Sequence, residues 1–439
     1  MTKTIIVIGA GISGLGAAYA LQKKGCDVTV LEKDERVGGR MLSVEWHGTW
    51  IDLGAEYLSS KESELFELIT ELGLSSRVVD YPTIGQVNFE SWRHDSGHVV
   101  SLSKPLSLLT TAPLTLRGKI GLARLLPASI PHLLRVKLRP RSVYDPAAVS
   151  ADDEESLESW LSRVHPDYLD YIVEPMHEFM WSHEPHEIAR GWALGFYAKH
   201  VKLDVCSLDE GYGLLPRVLA TRLAVRTGAR VTSVAPGEAS VAVAWEQQGR
   251  QHRKEVDGVV VAVPGTRVTD IVPGLDAERV KFFDGVRYSP QEIPFFKLKR
   301  EVTGLPMMRL YSRREDPVLN AVIYTAPKPG GEKILRAKLK AKYIKRDWRQ
   351  TDSERMDAVL KEVARYFPAA VDAVEDRLLH RWQDALPIFY PGYSRSLRTF
   401  SALPPIPRLA FAGDYLTAGD TGAAYHSGRC AAEDLMKRT

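Results

Sequence analysis

Cysteine is scarce: only Cys26, Cys206 and Cys430 occur in 439 residues. They lie too far apart in sequence for a disulfide framework or a paired-cysteine metal site, so a reducing compartment is expected. No apolar run approaches the ~20 residues that cross a bilayer. Met1-Thr-Lys leads straight into the first strand, so no secretory leader is expected, and a cytoplasmic location follows. A net charge of +3 is too small to suggest nucleic acid as a partner. Metal-ligand clusters, Ser/His/Asp arrangements, internal repeats and low-complexity tracts are all missing. What the chain does have is 44% hydrophobic and 26% charged residues. That composition excludes disorder, and the length suggests two interleaved domains.

The most informative stretch is Thr4 to Arg40. Ile5, Ile6, Val7 and Ile8 form an apolar, β-branched run that predicts a buried parallel strand. Gly9, Gly11 and Gly14 follow in G-x-G-x-x-G spacing. A helical face (Ala17, Ala18, Ala20, Leu21) comes next, then a second strand ending in Glu32. The first glycine permits a tight turn, the second lets backbone approach a pyrophosphate, and the third lets helix and strand pack closely. Free N–H groups at the helix start then face the phosphates, and a carboxylate after the second strand accepts both hydroxyls of an adenosine ribose.

The continuation selects the dinucleotide. Arg36-Val-Gly-Gly-Arg40 and Asp52-Leu-Gly-Ala-Glu56 add a second glycine turn beside an arginine, which a simple nicotinamide domain does not need. At the far end, Gly413-Asp414 follows a short strand and precedes a helix beginning near Ala423. Together these motifs resemble the flavin-containing amine oxidase superfamily, which includes protoporphyrinogen oxidases and phytoene-type desaturases. The resemblance implies FAD, with Gly9, Gly11, Ser13, Gly14, Glu32 and Lys33 from the first motif. From the second it implies Gly38, Gly39, Arg40, Gly54, Ala55 and Glu56, with Arg40 as the anion clamp. Val231 would contact the adenine, Gly413 and Asp414 the pyrophosphate and ribityl chain, and Ala423 and Ala424 the pyrimidine edge. Ala423 stands where the family usually has glycine. No cysteine lies between Trp382 and Phe411, so the FAD should be non-covalent.

The fold class implied is α/β: a glutathione-reductase-like FAD-binding Rossmann domain interleaved with a mixed-sheet and helical substrate domain. Residues 1–80, 206–286 and 381–439 are assigned to the first, and 81–205 and 287–380 to the second. Two basic stretches stand out. No acid occurs between Asp95 and Asp145, while Lys104, Arg117, Lys119, Arg124, Arg135, Lys137, Arg139 and Arg141 alternate with leucines and prolines. This is either a solvated rim or a peripheral membrane contact. In Leu335–Tyr343, period two sets Arg336, Lys338, Lys340 and Lys342 on one face, read as solvated or as docking an acidic carrier protein. An amphipathic helix with acids in its first turn is expected from Asp152 to Leu161.

For chemistry, Tyr390 and Tyr393 are candidates to line the flavin. Lys297 is a candidate for the lysine that many members hold near N5, and Asp420 could pair with a cationic amine. The arginine that plant and animal protoporphyrinogen oxidases use is absent from Val87–Trp92, with Arg93 nearby. The expected function is hydride transfer from a C–N or C–C bond of a small to medium-sized, largely apolar molecule to FAD, with O2 as reoxidant. Porphyrinogen oxidation is the first alternative. The second is a flavin-free binding protein like the Rab GDP-dissociation inhibitors, which share this architecture. The sequence does not indicate an oligomeric state.

Overall fold

The computed structural model describes residues 2–59, 62–80, 90–93, 98–101, 115–121, 127, 130–131, 134, 153–200, 205–325 and 332–439. The opening strand Thr4–Ile8 is almost wholly buried, as its unbroken apolar run requires, and the helix Ile12–Lys23 starts directly after Gly11. The strand sits at the centre of a five-stranded parallel sheet. The order is Ala224–Arg226, Asp27–Leu31, Thr4–Ile8, Gly258–Val261, Leu409–Phe411. The start, middle and end of the chain therefore meet in one layer. Above it, Thr421–Met436 crosses Ile12–Lys23 at very short range. A Cβ on Gly428 would lie 2.0 Å from the Ser13 carbonyl oxygen, so only glycine permits the approach.

A second sheet of seven strands holds Val374–Pro387, Tyr288–Leu298, Lys333–Leu339, Leu319–Thr325, Met308–Tyr311, Glu90–Arg93 and His98–Ser101 in that order. It is mixed, because Met308–Tyr311 runs parallel to Glu90–Arg93. The strand Val374–Pro387 continues through position 381, where a domain boundary was expected. The helix Glu174–Trp181 packs beside this sheet.

Two expectations are corrected. The helix expected from Asp152 begins at Leu157, capped by the Ser156 hydroxyl. Asp152 lies outside the described residues. Asp153 is buried, and its carboxylate accepts the N–H groups of Ser394 and Arg395, capping the helix Tyr393–Ala402 instead.

The second correction concerns the basic face of Lys333–Leu339, which is not solvated. Arg336 pairs with Glu56 at 2.7 Å, and Lys338 donates to the Phe179 carbonyl at 3.0 Å. Lys340 donates to Glu174, both being buried. Lys338 and Lys340 meet the helix Glu174–Trp181 and Arg336 meets Glu56, so all three cations are engaged inside the protein. Lys342 alone of the four is exposed. In the acid-free stretch, 116–121 is helical and Leu116, Ile120, Ile130 and Leu134 are exposed. Lys104, Arg124, Arg135, Lys137, Arg139 and Arg141 lie outside the described residues. No described helix is long and apolar enough to cross a membrane.

Removing Lys340 strands the Glu174 charge in the interior. Lys340→Ala should cost about 3–5 kcal/mol in urea unfolding, whereas Lys342→Ala should stay within about 0.5 kcal/mol. Equal losses would show that the buried pair is not the relevant difference.

Candidate functional site: a glycine-lined cradle

Three turns stack at the end of the first strand. Gly9 adopts φ +98° and donates its N–H to the Leu31 carbonyl at 2.8 Å. A Cβ on Gly14 would lie 1.9 Å from the Gly9 oxygen, so no side chain is possible there. Gly38 donates to the Ala10 carbonyl at 2.8 Å, and Gly39 sits against the Cα of Gly11. The turn containing Gly54 and Ala55 closes the stack, Ala55 donating to the Arg40 carbonyl at 3.0 Å. Gly11 differs from its neighbours: a Cβ there would meet nothing within 4 Å. Its backbone faces open space at a helix start. The buried Ser13 hydroxyl has no partner among the described residues. A side-chain-free recess with an uncommitted hydroxyl at a helix N-terminus suits a pyrophosphate.

Glu32 is buried and held in place. Its two carboxylate oxygens accept the N–H groups of Ala10 at 2.7 Å and Asp34 at 3.0 Å. Val231 is buried opposite Trp245 in a three-stranded sheet. It lies two residues beyond Ala229, whose N–H donates to the Glu32 carbonyl at 2.8 Å. Lys33, by contrast, is exposed and pairs with Asp34.

The Arg40 clamp is engaged by the protein itself. Its Nη1 donates to Asp414 at 2.7 Å and to the Ala385 carbonyl at 2.8 Å, with the guanidinium over the Tyr288 ring. Asp414 also accepts the Tyr288 hydroxyl at 3.2 Å and the Tyr415 N–H at 3.0 Å. Burial, reinforced by the Asp414 charge, pushes the Tyr288 phenol well above its ordinary range, so it remains a donor. Gly413 donates to the Ser427 hydroxyl at 3.0 Å. Nothing in the sequence around Tyr288 marked it for this place.

The start of Thr421–Met436 carries two carboxylates. Asp420 accepts the Ala423 N–H at 2.7 Å as the N-cap. Glu62 accepts the Gly422 N–H at 2.7 Å and the Thr421 hydroxyl at 3.2 Å. The Thr421 hydroxyl also lies 2.9 Å from the hydroxyl of the fully buried Tyr212. Asp420 therefore has a capping role where an amine partner was expected. Part of the positive end of the helix dipole is neutralised by the chain. Ala423 and Ala424 are buried without strain, so the missing glycine costs nothing visible. Sequence reasoning missed Glu62, whose one signal is an acid directly before the helix Ser63–Glu71.

The other three expected catalytic side chains are engaged by partners within the protein. Lys297 pairs with Glu332 and Glu375, each at 3.5 Å. It is nine residues along the strand from Tyr288, roughly 30 Å of strand length. Tyr393 is buried and donates to the Tyr415 carbonyl at 2.7 Å, while Tyr390 donates to the Gly285 carbonyl at 2.9 Å. Both belong to an aromatic cluster with Phe282 and Phe389, where packing satisfies ring and hydroxyl together. Glu56, expected at the cofactor, is directed to Arg336 and Lys338. Burial, opposed by Glu56, lowers the Lys338 ammonium to about 8.

Asp52 ties the second turn to the central motif, accepting the Ser43 hydroxyl at 2.5 Å and the Tyr212 N–H at 2.9 Å. Burial raises its carboxyl from 3.8 to about 7, so the native state holds a proton that the unfolded chain releases. Stability from this group is complete below about 4 and falls as pH rises towards 7. Asp52→Asn keeps an acceptor oxygen and should flatten urea-measured stability between pH 5 and 7.5. An unaltered slope would place the titration elsewhere. For the cradle, Gly11→Val should leave a folded apoprotein that fails to take up flavin. Gly14→Val should lose the fold as well, since its side chain meets the Gly9 carbonyl. Circular dichroism and flavin absorbance together separate the two outcomes.

Comparison with known proteins agrees with this geometry. Rice (Oryza sativa subsp. japonica) polyamine oxidase 4 is 25% identical over 476 aligned residues, covering 99% of this chain and 89% of that protein. Arabidopsis thaliana protoporphyrinogen oxidase 2 is 29% identical over 238 residues, 54% of this chain but 42% of the relative. A putrescine oxidase structure superposes with a TM-score of 0.78 at 20% identity, covering 100% and 99% of the two chains. Cyclohexylamine oxidase from Brevibacterium oxydans gives 0.75 at 17%, with the same coverage, so both share the fold. The model of the family described as flavin containing amine oxidoreductase matches residues 12–436. That span runs from the helix after Gly11 to the last turn of Thr421–Met436, and the chain belongs to this family of flavin-dependent oxidoreductases.

Proposed function

We propose that the chain binds FAD non-covalently and oxidises a C–N bond of a small amine, with O2 as the final electron acceptor. The observation that carries this reading is the open backbone at Gly11 beside the uncommitted Ser13 hydroxyl, with Glu32 held alongside. Flavin, when bound, supplies the hydride acceptor, so the chain needs only to bind, orient and manage protons. Ser13 would donate to the pyrophosphate, and Glu32 would accept from the adenosine ribose. The described cysteines, Cys26, Cys206 and Cys430, all lie outside Trp382–Phe411, which favours a dissociable cofactor. An amine is preferred to a porphyrinogen because the match to rice polyamine oxidase 4 covers 89% of that relative, whereas the match to Arabidopsis protoporphyrinogen oxidase 2 covers 42% of it.

The test is an anaerobic panel followed by flavin bleaching, with putrescine, cyclohexylamine and a porphyrinogen. At least one amine should reduce the flavin fully, and air should restore the yellow colour. Reduction by the porphyrinogen alone would select the other branch of the family, and a purified protein without flavin would overturn the reading.

A further inference from the structure

The helix Glu174–Trp181 ends on a cluster that the cofactor site does not use. His177 and His183 are both fully buried. The His177 Nδ1 lies 2.7 Å from the Tyr197 hydroxyl, and its Nε2 lies 3.2 Å from His183 Nδ1. His183 Nδ1 also faces the Glu184 carbonyl. A carbonyl only accepts, so His183 carries its proton on Nδ1 and donates it to His177 Nε2. His177 then carries its proton on Nδ1 and donates to Tyr197. This leaves His183 Nε2 as a bare acceptor, buried and without a partner among the described residues. The indole N–H of Trp181, whose ring centre lies 6.2 Å away, is likewise unpartnered. One unpartnered donor and one unpartnered acceptor in the same neighbourhood are what a small polar ligand would satisfy.

The cluster adjoins the centre described above. The Trp181 carbonyl accepts the Ser289 hydroxyl, one residue from the Tyr288 that contacts Asp414. A Cβ on Gly419, just before the Asp420 cap, would lie 2.9 Å from the Trp181 ring. Gln291 anchors the intervening turn through the Ser182 hydroxyl at 3.1 Å.

We propose that His183, His177 and Tyr197 form a proton-exit relay from a buried amine subsite beside Trp181 to the partly exposed Tyr197. The inference rests on the amine reading. An amine arriving as its ammonium ion must lose one N–H proton before a hydride can leave its α-carbon. His183 Nε2 takes that proton, and the Nδ1 proton of His183 passes to His177 Nε2. The Nδ1 proton of His177 passes to the Tyr197 oxygen, and Tyr197 releases its own proton to water. The bond broken at nitrogen is balanced by one proton released, and both rings end in the opposite tautomer. Burial lowers His183 to about 4 and holds His177 well below its ordinary range, so neither ring stores charge and the transfers are concerted. The groups facing the chain are Glu184, His186 and Glu187 around His183, with Glu187 already paired to Lys345, and Tyr168 near Tyr197.

The experiment uses holoprotein, with putrescine and cyclohexylamine as probes, in anaerobic stopped flow across pH. His183→Gln should slow flavin reduction about 100-fold at neutral pH, on the scale of general-base loss. Its rate should also climb towards the amine's own pKa, because only amine already deprotonated in solution then reacts. Tyr197→Phe should show a smaller slowing in the same direction. A wild-type rate and pH profile in both variants would overturn the relay. If neither amine reduces the wild-type flavin, the amine reading fails instead. 15N-histidine NMR of the wild-type protein then decides independently: a bare His183 Nε2 supports the relay, and a protonated one refutes it.

Discussion

The ion pair between Arg40 and Asp414 joins residues 374 positions apart and sets where everything else lies. Arg40 ends the second glycine turn, Asp414 follows the last strand of the parallel sheet, and Tyr288 opens the strand Tyr288–Leu298 of the seven-stranded sheet. One carboxylate thereby orients three distant segments. Because Asp414 is buried, its charge needs each of these partners: guanidinium, phenol and backbone N–H. An arginine held in this way is also less free to clamp a phosphate.

The same economy of charge recurs in the interior. Glu56 meets Arg336 and Lys338, Glu174 meets Lys340, and Glu292 meets Arg355 at 2.6 Å. Buried pairs of this kind add little net stability but penalise any alternative packing that separates them. The Glu174–Lys340 pair, with Lys338 donating to the Phe179 carbonyl, ties the helix Glu174–Trp181 to the seven-stranded sheet. Glu62 and Asp420 do corresponding work at the start of the last helix, where two acids temper the dipole facing the expected flavin edge. The result is a site whose electrostatics are set largely by internal partners.

The nucleotide-binding half was legible because its signals are local. Gly9 takes a left-handed φ and Gly14 a contact closed to any side chain, while Gly11 leaves open space beside them, and strand, turn and helix follow within twenty residues. The substrate half was not. Alternation along Leu335–Leu339 correctly separated two faces, but it could not say that the second face meets Glu56 and Glu174. Tyr390 and Tyr393 were expected to line the flavin, and only the tertiary structure shows that their hydroxyls donate to the Gly285 and Tyr415 carbonyls.

By itself, then, the order of residues determined the periodicities, the turns that only glycine can make, and the placement of an acid after the second strand. These depend on a residue and its near neighbours. Which carboxylate neutralises which cation, which hydroxyl is left without a partner, and which histidines touch were decided by tertiary structure. Those pairings join positions from six to several hundred residues apart, and burial makes each one either mutual or costly.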